Sequence, residues 1–253
     1  MAAPEPAPLA WAVSLLLLLA LWWLVALLAA DARLMPGPAL VLMVAWRDLI
    51  GGDMVQDLLA TLARVAAAFV LAMLVGTVLG WVAGRSARVN ALLDPWIVVA
   101  LNLPVLVVVI LVYVWAGLND AAAVLAVAIA KIPTIAITVR EGARALDAGL
   151  DEMAAAFRLP WPRRLRQVVL PQLAPYLAAA GRGGLSVTWK IVLIVELLGR
   201  PNGVGFALNL RFQSFDVPGI LAYGLVFAAI MLAVEAVLLQ PWERRAHAWR
   251  AGA

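Results

Sequence analysis

Apolar residues run along this chain in long blocks, and the short polar intervals between them set the expected elements. Leu9 to Ala30 carries no charge and has Ser14 as its one polar residue. A helix of that length crosses ~30 Å of hydrocarbon. Ala30-Asp31-Ala32 has the small-residue form of a signal-peptidase site, but the apolar block is too long for a leader core and nothing basic precedes it, so a retained anchor is expected. Met35-Pro36-Gly37-Pro38 breaks the chain. Ala39 to Gly52, with Trp46, Arg47 and Asp48, is too short and too charged to span and reads as a loop with a short surface helix. The second span is expected over Leu58 to Gly84, where Gly76, Gly80 and Gly84 recur every fourth residue as close helix packing requires. A basic turn, Arg85 to Asn90, leads to a third span over Leu92 to Leu118 containing Asn102 and Pro104. The fourth covers Ala121 to Val139 and holds Lys131 and Pro133. The fifth covers Leu173 to Leu198, with Gly181-Arg182-Gly183-Gly184 read as an interruption. A polar connection, Gly199 to Phe215, precedes the sixth over Val217 to Leu239.

The fold class expected is therefore an all-α integral membrane protein of about six transmembrane helices, with both termini on one side. Its divisions are an N-terminal helix (1–34), an outer loop and surface helix (35–56), a five-helix core (57–240) and a tail (241–253).

Between the fourth and fifth spans lies the longest charged interval, Glu141 to Pro171. Leu146, Leu150, Met153 and Phe157 are spaced four, three and four apart, which places them on one face of a short helix, while Asp147, Asp151, Glu152 and Arg158 fall elsewhere. Pro160 and Pro162 end that helix, and Arg163, Arg164 and Arg166 follow. Pattern alone leaves two readings open: a segment lying on lipid headgroups, or one that docks on another protein.

Composition removes most alternatives to a membrane protein. Of the residues 66% are apolar and 13% charged, and mean hydropathy is +1.00, far from a soluble domain. There is no cysteine and one histidine, His247, so disulfides, thiolate metal sites and most imidazole chemistry are excluded. The net charge of +4 is explained by membrane orientation and not by nucleic acid. Arg85, Arg88, the arginines of 141–171, and Arg244, Arg245 and Arg250 all fall on one side, against Arg33, Arg47, Arg200 and Arg211 on the other. The positive-inside rule makes the first side cytoplasmic, with both termini. No G-x-x-x-x-G-K-[ST], H-E-x-x-H or G-x-S-x-G occurs, so the chain has no phosphate loop or hydrolase signature.

Glu152-Met153-Ala154, the aromatic Phe157 and then Val168-Val169-Leu170-Pro171 resemble the cytoplasmic "EAA" loop of permease subunits in binding-protein-dependent ABC importers. The likeness extends over roughly Met35 to Trp249 and is strongest to the nitrate, sulfonate, taurine and bicarbonate branch. It implies a type I importer permease fold with a coupling helix that grips a cytoplasmic ATPase, through Leu150, Asp151, Glu152, Met153, Ala154, Phe157, Arg158, Leu170 and Pro171. Arg158 stands where the family usually has glycine. The implied partners are two ABC ATPase subunits, a second copy of the chain, an extracytoplasmic solute-binding protein and membrane lipid, in a bacterial inner membrane. No cofactor is expected on this chain, since ATP and magnesium belong to the ATPase. The chain itself is expected to be non-catalytic. Trp189, Glu196, Gly203 and Gly205 match a block that recurs in the family, and Gly203 and Gly205 are expected at an extracytoplasmic gate.

Charges inside spans need separate reasons, because an ionised group near the bilayer centre costs about 2.5–3.5 kcal/mol on insertion scales. Arg64 and Glu235 lie near span ends and are expected to snorkel or to pair across helices. Lys131 and Lys190 lie deeper, and either line an anion path or pair with Glu196 or a neighbouring helix. Asn102, Lys131, Trp189, Lys190 and Glu196 are thus the candidate path residues. An ion-coupled transporter without an ATPase, and a membrane scaffold that moves no solute, are the functional alternatives; neither explains the 141–171 loop.

Overall fold

The computed structural model describes residues 8–242. His247, Arg244, Arg245 and Arg250, with most of the 241–253 tail, lie outside the described residues, as does the start of the 1–34 unit. Among the described residues the chain is helical, in the order α1 (Pro8–Ala29), α2 (Pro38–Gly51), α3 (Met54–Arg85), α4 (Ala87–Asn102), α5 (Val105–Ala116), α6 (Asp120–Arg144), α7 (Ala148–Ala156), α8 (Trp161–Arg164), α9 (Leu170–Gly199), α10 (Val204–Gln213) and α11 (Val217–Val234). Single π-helical turns, Leu165–Val169 and Glu235–Leu239, join α8 to α9 and extend α11. Five helices are long and apolar enough to cross a membrane, or six if the bent pair α4–α5 is counted as one span.

Helix boundaries follow local chemistry. Pro38 opens α2 after Gly37, where a missing N–H costs nothing. The Ser86 hydroxyl accepts from Val89 N at 3.4 Å to start α4, Asn119 Oδ1 accepts from Ala122 N at 2.8 Å to start α6, and Asp216 Oδ1 accepts from Gly219 N at 3.0 Å to start α11.

Two expectations about spans change. The third span is not one straight helix: α4 and α5 are bent by 99° at Leu103-Pro104. Pro104 lacks the N–H that would continue the ladder and restricts Leu103 to extended backbone. The fifth span is not interrupted, because α9 runs unbroken through Gly181-Arg182-Gly183-Gly184. A Cβ on Gly181 would meet the Trp242 ring and one on Gly184 would touch Phe69 and Ile135. Two of these glycines are packing points, and tertiary contact outweighs their weak helix propensity.

The seam that holds the bundle is α3 against α6. Gly76 faces Ile135, Gly80 faces the Ala136 carbonyl and Val139, and Gly84 faces Ala143. The small-residue stripe thus lets two backbones approach as the sequence spacing suggested. Ala126, Ala128, Ala136 and Val139 of α6 are fully buried, so α6 is the central helix. α1 is the opposite case: Leu16, Leu17, Leu18, Leu27 and Leu28 are all exposed on this chain. Trp22 ties it to the chain: its Nε1 donates to Pro36 O at 3.0 Å and its ring packs against the core.

Gly80→Ala and Gly224→Ala make the same chemical change in different surroundings, since a Cβ at Gly224 meets nothing within 4 Å. Gly80→Ala should lose about 1–3 kcal/mol through overpacking, and Gly224→Ala should gain roughly 0.5–1 kcal/mol through reduced chain entropy. Thermal melts in detergent should therefore move in opposite directions.

Candidate functional site: a buried latch and an exposed lever

At one end of the bundle, α3, α6, α9 and the start of α10 converge on Arg64 and Glu196. Glu196 is fully buried and Arg64 is 6% exposed. Arg64 Nη1 donates to Glu196 Oε1 at 2.6 Å and to Asn202 O at 3.1 Å, Nε donates to Asp120 Oδ1 at 2.7 Å, and Nη2 donates to Asn202 Oδ1. The second Glu196 oxygen accepts from Thr61 Oγ1 at 2.9 Å and from Gly205 N at 2.9 Å. The Thr61 hydroxyl in turn accepts from Val204 N at 2.8 Å. Every polar edge of the carboxylate is met, which is the condition for a buried ion pair to persist. Asp120 bridges outward to Arg200 Nη2 at 3.0 Å.

The glycines beside this pair have individual reasons. Gly203 sits at φ +105°, its N–H donates to Asp57 Oδ1 at 2.7 Å, and a Cβ there would lie 2.5 Å from Glu196 Cδ. A Cβ on Gly205 would strike the Leu193 carbonyl and come within 2.8 Å of Glu196 Cβ. Only glycine allows both the backbone conformation and the approach.

Above this latch opens a cleft of about 640 Å³, lined by Arg47, Asp48, Asp53, Gln56, Asp57, Asn202, Arg211, Asp216 and Tyr223 among others. Arg211 ties it together: its Nη1 donates to Asp216 Oδ2 at 2.6 Å, Nη2 pairs with Asp48 at 2.5 Å, and the guanidinium lies 4.5 Å from the Tyr223 ring centroid.

The candidate path residues separate. Asn102 is exposed and its Nδ2 donates to Val98 O at 2.8 Å, closing the end of α4. Trp189 packs edge-on against Phe227 with centroids 5.6 Å apart. Lys190 is exposed and lies 5.4 Å from the Trp189 ring centroid. Lys131 is 6% exposed and lines a separate cavity of about 180 Å³. Neither lysine is the partner of Glu196, because Arg64 occupies that carboxylate. Glu235 pairs across helices with Arg182 at 3.3 Å.

At the other end, α7 projects as a nine-residue helix. Asp147 caps it by accepting from Gly149 N at 2.7 Å, while the Asp147 N–H donates to Gln172 Oε1 on α9 at 2.8 Å. Asp151 holds it against the bundle through Arg85 at 2.8 Å and Arg164 at 3.1 Å. Burial would raise the Asp151 carboxyl, but hydrogen bonds from Arg164 and Arg85 outweigh it and hold the group below the usual carboxylate range. The face expected from spacing is used unequally. Ala154 is the buried residue of α7, Leu150 is half-buried, and Glu152, Met153 and Phe157 stand exposed, Phe157 at 75%. Arg158 takes the left-handed conformation, φ +49°. Leu159 N donates to Ala154 O at 3.0 Å and Arg158 N to Ala155 O at 2.9 Å. This is a Schellman ending in which arginine fills the position glycine would favour, at a cost of about 1–2 kcal/mol. Leu170 and Pro171 begin α9 directly after the π turn.

Sequence reasoning did not single out Thr61, Asp57, Asp120, Asn202 or the Arg211 group. The usable signal was charge balance: Glu196 lies deep in a span and Arg64 is a cation in another, so each could supply what the other lacked.

The class these features define is a helical membrane subunit of a transporter, and its fold is that of a type I ABC importer permease. A chain of the MetNI methionine ABC transporter, solved in inward-facing conformations, superposes with a TM-score of 0.67 at 15% identity, over 80% of this chain and 98% of that one. Residues 76–240 match the family described as binding-protein-dependent transport system inner membrane component, and the chain belongs to that family. A Bacillus subtilis protein named as an aliphatic sulfonates transport permease, SsuC, is 25% identical over 95% of this chain and 88% of its own. The taurine transport system permease protein TauC of Escherichia coli is 26% identical over 93% and 88%. The bicarbonate transport system permease protein CmpB of Synechococcus elongatus is 27% identical over 73% and 67%.

Arg64→Met should cost about 3–5 kcal/mol by leaving Glu196 buried and uncompensated. Arg64→Met with Glu196→Gln should recover part of that loss, so a double-mutant cycle in SDS unfolding should return a favourable coupling energy for the pair.

Proposed function

We propose that two copies of this chain form the membrane path of an ATP-driven importer for a small anion of the nitrate, sulfonate, taurine or bicarbonate kind. Two ABC ATPase subunits grip α7 on the cytoplasmic side, and a solute-binding protein docks over the Arg211 cleft outside. The observation that carries this reading is α7 itself: a preformed helix, clipped to α3 and α9 by Asp151 and Gln172, with Glu152, Met153 and Phe157 turned away from its own bundle. Such a lever suits a partner that grips and moves it between two states. The arginine distribution supports a cytoplasmic α7 and an outer latch under the positive-inside rule. The permease catalyses nothing, and ATP and magnesium stay on the ATPase. The anion class is supported by the substrates for which SsuC, TauC and CmpB are named.

Mild-detergent purification of tagged chain from its host, with mass spectrometry of stoichiometric partners, tests the assembly. A P-loop ATPase at one copy per permease supports it, and a fully folded chain purified alone removes the motor. Glu152 is exposed, so Glu152→Ala should leave the protein in the membrane and abolish solute uptake, assayed in whole cells.

Asp151 gives a pH signature. Its folded value lies below its unfolded one, so its anchoring is fully present above the ordinary carboxylate range and is lost as pH falls through the folded value. Asp151→Asn should lower hydrogen-exchange protection of residues 148–156 at pH 7 by roughly five-fold, for about 1 kcal/mol of ion pairing. The native chain should approach the variant's protection on acidification, and the variant should show no such step.

A further inference from the structure

Lys131 stands apart from every other charge inside the bundle. It lies eleven residues from Asp120 and thirteen from Arg144 along α6, about 16 and 20 Å from the two helix ends. Its side chain lines a cavity of about 180 Å³ together with Leu101, Leu103 and Val105 from the α4–α5 break, Thr134 and Ile191. No aspartate or glutamate lines that cavity, and among the described residues Lys131 has no ion-pair or hydrogen-bond partner. Arg64, which is also buried, has four acceptors. An unpaired ammonium at this depth is costly, and an anion beside it would lower that cost.

The broken span supplies a second, independent pull of the same sign. α5 is twelve residues long and begins at Val105, in the cavity wall. Its first intrahelical bond is donated by Val107 N to Pro104 O at 2.9 Å. The Val105 and Leu106 N–H groups precede that bond and are free, at the positive end of the helix dipole. Thr134 adds a hydroxyl in the wall. The Lys131 cation, the Val105 amide and the Thr134 hydroxyl are the donor set for a small oxyanion, and the volume suits a few heavy atoms.

We infer that the cavity between the α4–α5 break and Lys131 is a mid-membrane holding site for a small oxyanion such as a sulfonate, carbonate or nitrate. The inference rests on the importer reading for its substrate class, and it adds where on the permease the solute pauses and which side chain holds it. Lys190, exposed and engaged with the Trp189 ring, is not part of the site.

The test uses the full chain with its ATPase in nanodiscs, without binding protein, and methanesulfonate as probe. Dimethyl sulfone is its neutral near-isostere. Methanesulfonate should raise the melting temperature saturably in the native protein and in Lys190→Met, by the linkage of ligand to the folded state. The rise should be absent in Lys131→Met and Lys131→Gln and retained in Lys131→Arg, while dimethyl sulfone should shift none of them. Without ligand, Lys131→Met should melt at or above the native temperature, because it removes an unpaired buried charge; Lys131→Gln serves if the methionine variant does not fold. An equal methanesulfonate shift in the native protein and both neutral variants overturns the site, as does an equal shift with dimethyl sulfone or no shift in the native protein. If Lys131→Met dissociates the dimer with no methanesulfonate effect in any protein, the cation's partner is a group on the second copy and the site falls. Sulfonate uptake after deletion of the gene is scored separately: lost uptake keeps the importer reading even if the site fails, and unchanged uptake removes the substrate class whatever the melts show.

Discussion

The structure depends on one buried ion pair, Arg64 with Glu196. Placing two charges out of water is expensive, and their attraction repays the cost only when every remaining donor and acceptor is met. Thr61, Asn202, Asp120 and the Gly205 N–H meet them here. The pair therefore dictates its neighbours. Gly203 and Gly205 are glycines because a Cβ at either would run into Glu196 or the backbone beside it. The turn between α9 and α10 has its shape because Arg64 reaches the Asn202 carbonyl and side chain. α3 and α9 meet at this end because each contributes a buried charge that would be costly alone, and α6 adds the exposed carboxylate of Asp120.

The same three helices are joined along their length by different physics. Away from the Arg64–Asp120 pair at their outer ends, α3 and α6 gain little from hydrophobic association in lipid, so close packing of small residues carries the contact. Gly76, Gly80 and Gly84 provide it. α9 adds Gly184 against Phe69 and Ile135. The bundle is thus latched electrostatically at one end and zipped sterically through the middle. At the far end it is clipped by the exposed or half-exposed pairs of Asp151 with Arg85 and Arg164, which are individually weak and easily remade. Strength declines toward the end that carries α7, where movement is needed.

Most spans were legible because long apolar blocks have few alternatives, and the α3 seam was legible because glycines every fourth residue leave a sequence trace. The two errors about spans share a cause. Gly181 to Gly184 looked like a break because helix propensity was weighed without the Trp242, Phe69 and Ile135 contacts that hold the helix there. The third span looked continuous because its apolar composition hides a bend set by Pro104 alone. For the site, spacing placed Leu150, Met153 and Phe157 on one face but could not say which side of α7 the bundle takes. Ala154 is the residue it buries, a small side chain with little pattern of its own. Glu196 was visible as a buried charge, but its partner sits 132 residues earlier in the chain, a pairing that no local window contains. Arg158 shows a different limit. The backbone there needs the left-handed conformation, and the chain adopts it with arginine because the Ala154 and Ala155 carbonyls still receive their Schellman bonds.

α3 links the latch to the lever as a single piece. Arg64 and Arg85 are twenty-one residues apart on one helix, about 31 Å, so the helix that holds Glu196 at one end of the bundle holds Asp151 at the other. α9 repeats the connection, with Gln172 bound to the Asp147 N–H at one end and Glu196 at the other. Two rods fixed at both ends to the same pair of features connect α7 to the latch without a chain of intermediate side chains. The broken pair α4–α5 is not one of these rods. Its 99° bend at Leu103-Pro104 lies beside Lys131, about midway along α6. The cavity between this bent element, α6 and α9 is lined by Lys131, the buried cation without an ion-pair partner among the described residues. The unbroken helices α3 and α9, which join latch to lever, and the bend at Pro104, which opens a cavity beside Lys131, are therefore distinct parts of one bundle.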